Sequence, residues 1–290
     1  MRPTLLVDGN NILIRAVEAT RRTAMTSPVT GRTTAAMVVV AQTLSRYITA
    51  EQPFRVIILW DSGHAARSAL FPAYKAQRPQ GSDPYRSESK DLVRQFLDLC
   101  RIPQLAVPGE EADDLIAAYW RTAAGPVTIL SSDKDLLQLV GTTPTGYACE
   151  QIRVSSADTP TDRWDAATVQ EHFGCTPAQL PVAMSLAGDT SDNIPGVPGI
   201  GMVKAVKILS GAAWRLDGVT HAAVVAHRAE IDVYRQLVDL RDVRLDLPQI
   251  PPFMPTTVGP DRDWVRLHEF LSSHALQRLT NRLNSGRMWR

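Results

Sequence analysis

Four short apolar runs, rich in β-branched residues, lie in the first half of the 290-residue chain, and segments with helical periodicity separate them. Runs that are apolar at nearly every position are typical of strands buried on both faces of a sheet. Strands that alternate with helices predict βαβ units and therefore an α/β fold with a mostly parallel sheet. The runs are TLLV at 4–7, RVIILW at 55–60, QLAV at 104–107 and VTIL at 127–130.

The second half of the chain has a different pattern. No parallel-strand signal is evident after about residue 160, and apolar residues recur at helical spacing instead. In the first half, segment 72–88 is polar and proline-rich, which predicts a crossing loop rather than core. We therefore expect an α/β domain over 1–160 and a helical subdomain over 161–290. The predicted helices are 33–50, 89–100, 113–120, 164–174, 176–188, 202–209, 221–240 and 264–283.

Two features of the sequence bear on the compartment. No stretch approaches the roughly 18 apolar residues of a membrane helix, and the N-terminal segment lacks the apolar region of a signal peptide. Cys100, Cys149 and Cys175 are odd in number and widely spaced, which favours reduced thiols over disulfides or zinc ligands. We expect a cytoplasmic protein without a membrane segment.

Carboxylates follow every predicted strand. The carboxyl ends of parallel strands meet at one edge of a sheet, where the sites of open α/β folds form. Taken alone, an aspartate after a strand is usually a helix cap or a turn residue, and that alternative stands for each residue considered singly. The acids in these positions are Asp8, Asp61, Glu111, Asp113, Asp114, Asp133 and Asp135.

The acids gain a common explanation when they are taken as a set. Two like charges about 4 Å apart repel by about 1 kcal/mol in water, and more where water is partly excluded, so such a cluster requires cations. Ligands that are all oxygen, with no histidine or cysteine among them, select Mg²⁺ or Mn²⁺. So many carboxylates suggest two ions, and the commonest two-ion chemistry is in-line attack at phosphorus.

The segment GDTSDNIPGVPGIG at 188–201 adds two further acids, Asp189 and Asp192, and then two glycine-rich turns. The three glycines of these turns are free to adopt positive φ, and we expect a helix that begins near Ile200 and presents backbone N–H groups to an anion. A tight connection between two helices is the alternative interpretation of the turns alone. The residues expected to contact a phosphate backbone here are Gly196, Gly199, Gly201, Lys204 and Lys207.

These segments together resemble the flap endonuclease/5′-3′ exonuclease family, which includes bacteriophage 5′-exonucleases and the N-terminal 5′-nuclease domain of bacterial DNA polymerase I. The similar blocks occur in the family's order and cover roughly residues 4 to 210. They are VDGNN at 7–11, LWDS at 59–62, FPAYKAQRP at 71–79, EADD at 111–114, SSDKDLLQL at 131–139 and GDTSDNIPGVPGIG at 188–201.

The resemblance implies a PIN-like α/β core with a central sheet flanked by helices, a helical arch at about 72–100, and a helix-hairpin-helix at about 186–210 within the C-terminal helical subdomain. It also implies two ions, Mg²⁺ or Mn²⁺, and a K⁺ among the hairpin carbonyls. By resemblance, one ion is surrounded by Asp8, Asp61, Glu111 and Asp113, the other by Asp113, Asp133, Asp135 and Asp189, and Asp114 and Asp192 act through water.

Basic residues in the similar blocks are expected at the scissile phosphate. The resemblance implies catalytic roles for Lys75, Arg78 and Arg15, a weaker match at Arg67, and stacking of the Tyr74 ring on a base. Two departures are evident: Val203 stands where the family carries a lysine, with Lys204 next to it, and residues 80–100 match no member closely. Residues 211–290 carry no motif that the resemblance assigns.

The predicted activity is a structure-specific, metal-dependent 5′-nuclease on DNA, acting as a 5′-3′ exonuclease and flap endonuclease and leaving 5′-phosphate and 3′-hydroxyl ends. The net charge of +1 does not oppose DNA binding, because setting nine of the 30 acids aside for metal leaves 21 against 31 Lys and Arg residues. A PIN-like ribonuclease and a catalytically weak branched-DNA-binding module are the alternatives. We expect a monomer that acts in replication and repair on 5′ ends, flaps and nicks, in a bacterial cell or a phage-infected host, with a DNA polymerase as a partner in trans.

Overall fold

A computed structural model describes residues 1–22, 26–78, 81, 83–154, 161–254 and 262–289, with the side chain of residue 262 excepted. The contacts divide the chain into two compact units. Unit 1 comprises Met1–Trp60, Gly81–Ala106 and Pro248–Arg290, and unit 2 comprises Asp61–Gln80 and Val107–Leu247. The C-terminal segment 248–290 therefore groups by contacts with the N-terminal strands. The predicted boundary between an α/β domain and a helical subdomain near residue 160 stays a prediction.

The described residues contain strands and helices in alternation through the first half of the chain. The strands are β1 (Thr4–Asp8), β2 (Arg55–Leu59), β3 (Gln104–Leu105), β4 (Val127–Leu130), β5 (Gly141–Thr142), β6 (Ala148–Arg153) and β7 (Asp162–Trp164). The α-helices are α1 (Gly9–Thr20), α2 (Ala35–Glu51), α3 (Ala65–Leu70), α4 (Pro84–Leu99), α5 (Ala112–Arg121), α6 (Ala166–Phe173), α7 (Leu180–Ala187), α8 (Met202–Gly211), α9 (Ala222–Ala226), α10 (Arg228–Val238), α11 (Arg262–Ser273) and α12 (Gln277–Asn284).

Strands β1, β2 and β3 of unit 1 pair in parallel in the order β3-β2-β1. Four of the five residues in each of β1 and β2 are buried, as the apolar runs predict. The register pairs Asp8 with Leu59, so the carboxyl ends of these two strands lie side by side. Strand β3 is only two residues long, shorter than the predicted run at 104–107.

Helix α4 begins five residues earlier than the sequence pattern predicts. The Asp83 carboxylate accepts the backbone N–H groups of Tyr85 and Arg86, and Pro84 occupies the first helical position, where its missing N–H costs nothing. The prediction of a loop through residue 88 is therefore wrong for 84–88. Helix α11 packs on α4, and the Trp289 ring lies 6.5 Å from that of Phe96 on α4.

In unit 2, β4 and β6 pair in parallel, and β5 and β7 each pair with β6 in antiparallel fashion. The sequence pattern predicts none of β5, β6 and β7, because polar and apolar residues mix in them and two are very short. With parallel pairs in both units and helices between the strands, the prediction of an α/β fold with a mostly parallel sheet is confirmed.

The helical segments of unit 2 follow their predicted capping signals. The side chains of Thr176 and Gln179 form a capping box ahead of α7, and Gly174 ends α6 in the left-handed conformation. The predicted single helix at 221–240 is instead α9 and α10, because His227 leaves helical geometry between them. None of the described helices is both long and apolar enough to cross a membrane.

Candidate active site

Asp8 and Asp61 follow β1 and β2, as the sequence predicts. Asp8 is 5% exposed, and its carboxylate caps α1 by accepting the Asn11 N–H at 2.9 Å. The Asp61 carboxylate accepts the Ala112 N–H at 2.8 Å, at the first residue of α5. Each acid thus also serves as a helix cap, which is the usual role of an aspartate that follows a strand.

Glu111 and Asp114 form a capping box at the start of α5, in which the Glu111 N–H donates to Asp114 Oδ2 at 3.0 Å. Both carboxylates are buried, at 4% and 5% exposure of the residue. A buried pair of carboxylates requires positive charge beside it. Asp113 lies between them, on the first turn of the same helix.

Arg67 on α3 supplies that charge. Its Nη1 donates to Glu111 Oε2 at 2.7 Å, and its Nη2 donates to Asp114 Oδ1 at 2.6 Å. Burial opposes the charged guanidinium, but Asp114 and Glu111 outweigh that effect and hold the pKa of Arg67 above its ordinary value. With its side chain 13% exposed, Arg67 neutralises two buried acids in this structure, and its predicted contact with DNA stays a prediction.

Tyr74 is 3% exposed, and its hydroxyl lies 2.9 Å from Glu111 Oε2 and 3.0 Å from Asp192 Oδ2, so its single proton is shared between the two carboxylates. Burial raises the pKa of the hydroxyl far above its ordinary value, so it remains a donor. The ring lies in the core of unit 2. Stacking of Tyr74 on a base, as the sequence predicts, is therefore not available in this arrangement.

Lys75 has a side chain that is 8% exposed and lies between two acids. Its ammonium is paired with Glu111 and lies 3.5 Å from Asp192 Oδ2. Burial alone would raise the pKa of Glu111, but Arg67 and then Lys75 hold it below its ordinary value. The Lys75 backbone has a φ of 54°, in the left-handed region that non-glycine residues rarely adopt.

Arg78 and Arg15 differ from Lys75 in exposure. Arg78 Nη2 donates to Asp192 Oδ1 at 2.9 Å from a side chain that is 52% exposed. Arg15 lies on the exposed side of α1 in unit 1. The structure thus places Lys75 and Arg78 on one acid, Asp192.

A second group of acids follows β4. The Asp133 N–H donates to Ser131 Oγ at 3.0 Å, and the Asp135 N–H donates to Asp133 Oδ1 at 2.9 Å. These bonds shape a tight turn at 131–135, hereafter the acidic turn. Carboxylate oxygens of Asp135, Asp189 and Asp192 lie within 4.8 Å of one another.

The charge on Asp135 is unfavourable in this setting. Burial and the neighbouring Asp133 raise the pKa of Asp135 to about 7. Lys134 offsets part of this, since its Nζ lies 2.9 Å from Asp135 Oδ1 and 2.5 Å from Asp189 Oδ2. The donor set is all carboxylate, without histidine or cysteine, and this chemistry fits Mg²⁺ or Mn²⁺.

The loop at 189–194 links the two groups of acids. Backbone N–H groups of Asp189 and Ile194 each donate to the other residue's carbonyl, at 2.8 and 2.7 Å, and so close the loop. The Lys75 N–H donates to the Asp192 carbonyl at 3.0 Å, and Asn193 Nδ2 donates to the Ala73 carbonyl at 2.7 Å. Segment 73–78, which carries Lys75 and Arg78, is thus bound to the loop that carries Asp189 and Asp192.

Helices α7 and α8 flank the glycine-rich turns in the predicted helix-hairpin-helix arrangement. Gly196 and Gly199 have φ of 65° and 74°. Gly201 has a φ of −91° and serves as the N-cap of α8, so it does not use the positive φ that is open to a glycine. A Cβ on Gly196 would lie 2.4 Å from the Gly188 nitrogen, whereas one on Gly199 would meet nothing within 4 Å.

The hairpin also positions two lysines of α8. Val203 is 85% exposed, and Lys204 Nζ donates to the Gly199 carbonyl at 3.2 Å. Lys207 lies one turn further along α8 and is exposed. Lys204, which follows Val203, thus bonds to a carbonyl of the hairpin.

Several residues of this site carry no signal in the sequence patterns. Lys134 lies within the block SSDKDLLQL, in which the resemblance assigns roles to Asp133 and Asp135 but none to the lysine between them. Gln138, Gln151 and Asn193 donate to the carbonyls of Val238, Ser131 and Ala73, which are 100, 20 and 120 residues away, and periodicity does not report such contacts.

The profile of the family described as "5'-3' exonuclease, N-terminal resolvase-like domain" matches residues 3–174. The chain belongs to this family. It is 34% identical over 209 residues to DNA polymerase I of Bacillus subtilis (strain 168), an alignment that covers 71% of this chain and 23% of the polymerase. It is 30% identical over 213 residues to the 5'-3' exonuclease of Aquifex aeolicus (strain VF5), covering 72% and 69% of the two chains. The chain therefore spans about a quarter of the polymerase's length.

A solved structure of bacteriophage T5 flap endonuclease with DNA and metal ions has a TM-score of 0.65 to this chain at 17% identity, covering 99% of this chain and 98% of that one. At this identity the likeness shows the fold alone. The expected flap endonuclease-like fold is thereby confirmed.

Proposed function

We propose that the chain is a structure-specific 5′-nuclease that depends on divalent metal, acts on DNA as a 5′-3′ exonuclease and flap endonuclease, and leaves 5′-phosphate and 3′-hydroxyl ends. One observation carries the proposal. The carboxylates of Asp135, Asp189 and Asp192 lie together, and the loop that holds two of them is bonded to the segment with Lys75 and Arg78. Metal-assisted hydrolysis of a phosphodiester uses anion-binding groups and a cation site that are adjacent in this way.

The metal centre is proposed to hold two ions, Mg²⁺ or Mn²⁺. When bound, such ions supply Lewis acidity toward phosphoryl oxygens and lower the pKa of water. Their ligands are proposed from the acids at the strand ends and in the hairpin loop. They are Asp8, Asp61, Glu111, Asp113, Asp114, Asp133, Asp135, Asp189 and Asp192.

Lys75 and Arg78 are proposed to orient the scissile phosphate and offset the charge that develops on it. Both already contact Asp192, so they lie at the edge of the acidic site. Lys75 is held by a left-handed backbone and by buried partners, which fixes its ammonium before substrate arrives. Arg15 is proposed to contact the DNA from α1.

The hairpin at 188–201 and helix α8 are proposed to bind duplex DNA through its backbone. The N-terminus of a helix offers N–H groups to a phosphate, and Lys204 and Lys207 add charge next to it. Such binding carries no base sequence information. A K⁺ ion among the hairpin carbonyls is part of the proposal, with Lys204 already bonded to one of them.

The substrates are proposed to be 5′ ends, flaps and nicks during replication and repair. A relative is named DNA polymerase I, and this motivates a polymerase that acts in trans as a partner. We propose a monomer in the cytoplasm of a bacterial cell or a phage-infected host.

A cleavage experiment on matched DNA and RNA 5′ flaps tests the proposal. A labelled DNA flap with Mg²⁺ should give discrete products cut near the junction, and the RNA flap should remain largely intact. Preferred cleavage of the RNA would support a PIN-like ribonuclease, and tight binding of the DNA flap without cleavage would support a branched-DNA-binding module. Full cleavage in excess EDTA would refute the metal centre.

A further inference from the structure

Gln151 is a polar residue in the interior of a strand. It lies on β6 opposite Ile129 of β4 and is 0% exposed. Its Nε2 donates to the Ser131 carbonyl at 3.0 Å and to the Asp133 carbonyl at 2.7 Å. One side-chain amide thus bonds to two carbonyls of the acidic turn.

The bonds within the acidic turn do a different task. They run from the Asp133 N–H to Ser131 Oγ and from the Asp135 N–H to Asp133 Oδ1, so they set the shape of the turn. They do not fix its place against β6. The Ser131 N–H donates to the Ile152 carbonyl of β6 at 3.1 Å and fixes the start of the turn. The amide of Gln151 fixes the turn further along, at Asp133, from 18 residues away in the chain.

The same amide also has an unfavourable feature. Its Oε1 is buried and has no hydrogen-bond partner among the residues that the structure describes. An apolar residue at a fully buried strand position would avoid that cost. A glutamine here is explained by the two hydrogen bonds that its amide donates to carbonyls of the turn.

A second buried glutamine holds the other end of the acidic turn. Gln138 is 2% exposed, and its Nε2 donates to the Asp135 carbonyl at 2.7 Å and to the Val238 carbonyl at 2.9 Å. Its Oε1 accepts the Leu240 N–H at 2.8 Å. The backbone of the turn is therefore held at Ser131 and Asp133 by one amide and at Asp135 by another.

We propose that Gln151 is a positioning residue for the metal centre, with Gln138 as its counterpart, and that it sets the affinity for divalent cations by fixing the acidic turn. The proposal rests on the proposed function, since it concerns the same carboxylates. Asp133, Asp135 and Asp189 repel one another, so a released turn moves its carboxylates apart. Ion binding must then restore their positions, and the affinity falls.

Gln151→Met tests the proposal, because methionine keeps the approximate size and removes both donors. Residues that orient metal ligands typically change metal affinity by about 10- to 100-fold when they are lost. We expect Mn²⁺ titrated calorimetrically into the cation-free variant to bind at least about tenfold more weakly. We also expect single-turnover DNA cleavage to recover as Mn²⁺ is raised, with DNA affinity in Ca²⁺ unchanged.

Ile152→Ala is the matched control. Ile152 is also fully buried on β6, and its side chain makes none of the bonds to the turn, so the variant loses stability without releasing the acids. A similar fall in Tm with unchanged Mn²⁺ affinity in Ile152→Ala would assign the effect of Gln151→Met to positioning. If Gln151→Met fails to fold, Gln138→Met takes its place with the same expectation for Mn²⁺.

The outcomes separate the two proposals. If the unchanged chain bound no Mn²⁺, the metal centre itself would be overturned. If the unchanged chain bound Mn²⁺ and the glutamine variant bound it equally well, the positioning role would be overturned and the metal centre would stand.

Discussion

Lys134→Gln should strengthen divalent-cation binding, although it removes two ion pairs. Lys134 Nζ lies 2.9 Å from Asp135 Oδ1 and 2.5 Å from Asp189 Oδ2, so the ammonium occupies oxygens that a metal ion would use. The ammonium competes with the ion for these carboxylates and repels it once it is bound. Both effects weaken binding, so the neutral glutamine should improve it.

The size of the effect follows from charge, distance and exposure. A divalent ion and a lysine cation about 4 Å apart repel by about 2 kcal/mol in water. The Lys134 side chain is 47% exposed, so solvent and salt reduce the repulsion to about 1 kcal/mol. Displacing its exposed ion pairs adds a further 0.2 to about 1 kcal/mol. The total of about 1 to 2 kcal/mol corresponds to roughly five- to thirtyfold tighter binding.

Calorimetric titration of Mn²⁺ into cation-free protein at low salt measures this directly. The control is Lys207→Gln, which removes the same charge from the exposed side of α8 and should leave the affinity unchanged. Without metal, Lys134→Gln should also unfold at a lower temperature, since Asp135 and Asp189 lose their counter-ion. Unchanged or weaker Mn²⁺ binding in Lys134→Gln would refute the assignment of these oxygens to the metal centre.

Three further predictions concern other parts of the site. Lys75→Ala should slow single-turnover cleavage by about 100-fold or more with little change in DNA affinity. The reason is that a cation fixed between acids stabilises charge in the transition state. A loss of DNA affinity with an unchanged cleavage rate would contradict this role. Gly199→Val should weaken duplex binding in a mobility-shift assay, because the φ of residue 199 is 74° and a β-branched residue resists that conformation. The strain is in the backbone alone, since a Cβ at this position meets no other atom within 4 Å. Binding equal to that of the unchanged chain would show that the hairpin does not contact the DNA. The Asp135 pKa is raised from 3.8 to about 7, so the folded state holds a proton that the unfolded state releases. The cation-free chain should therefore lose stability as pH rises from about 4 to about 7, and Asp135→Asn should abolish that part of the pH dependence of Tm; an identical pH profile in the variant would show that Asp135 does not titrate there.

The sequence predicts those parts of the fold that local patterns control. Strands β1, β2 and β4 are apolar runs, and Thr176 and Gly174 end helices with caps that a reader of the sequence can identify. Strand β6 is not predicted, because the buried Gln151, which donates to carbonyls of the acidic turn, interrupts its apolar pattern. The early start of α4 depends on the cap at Asp83, which lies in a segment that otherwise has the composition of a loop.

The candidate site is predictable to a similar degree. The acids follow predicted parallel strands, so the expectation that they meet at one edge of a sheet needs only their order along the chain. The counter-ions of these acids cannot be inferred in this way, because they are distant in the sequence. Arg67 is 44 residues from Glu111, and Lys134 is 55 residues from Asp189. The burial of Tyr74 and the negative φ of Gly201 were likewise set by packing and helix capping rather than by residue type.

We propose that the carboxylate cluster cleaves DNA with divalent metal while the neighbouring hairpin binds the duplex. Asp189→Asn separates the two tasks, because Asp189 lies at the base of the hairpin loop and its carboxylate belongs to the cluster. The decisive measurement is single-turnover cleavage of a labelled 5′-flap DNA in Mg²⁺, paired with binding of the same DNA in Ca²⁺. The account predicts that Asp189→Asn binds the flap with a nearly unchanged salt dependence and does not cut it. Cleavage at the rate of the unchanged chain, or loss of binding in place of cleavage, would contradict it.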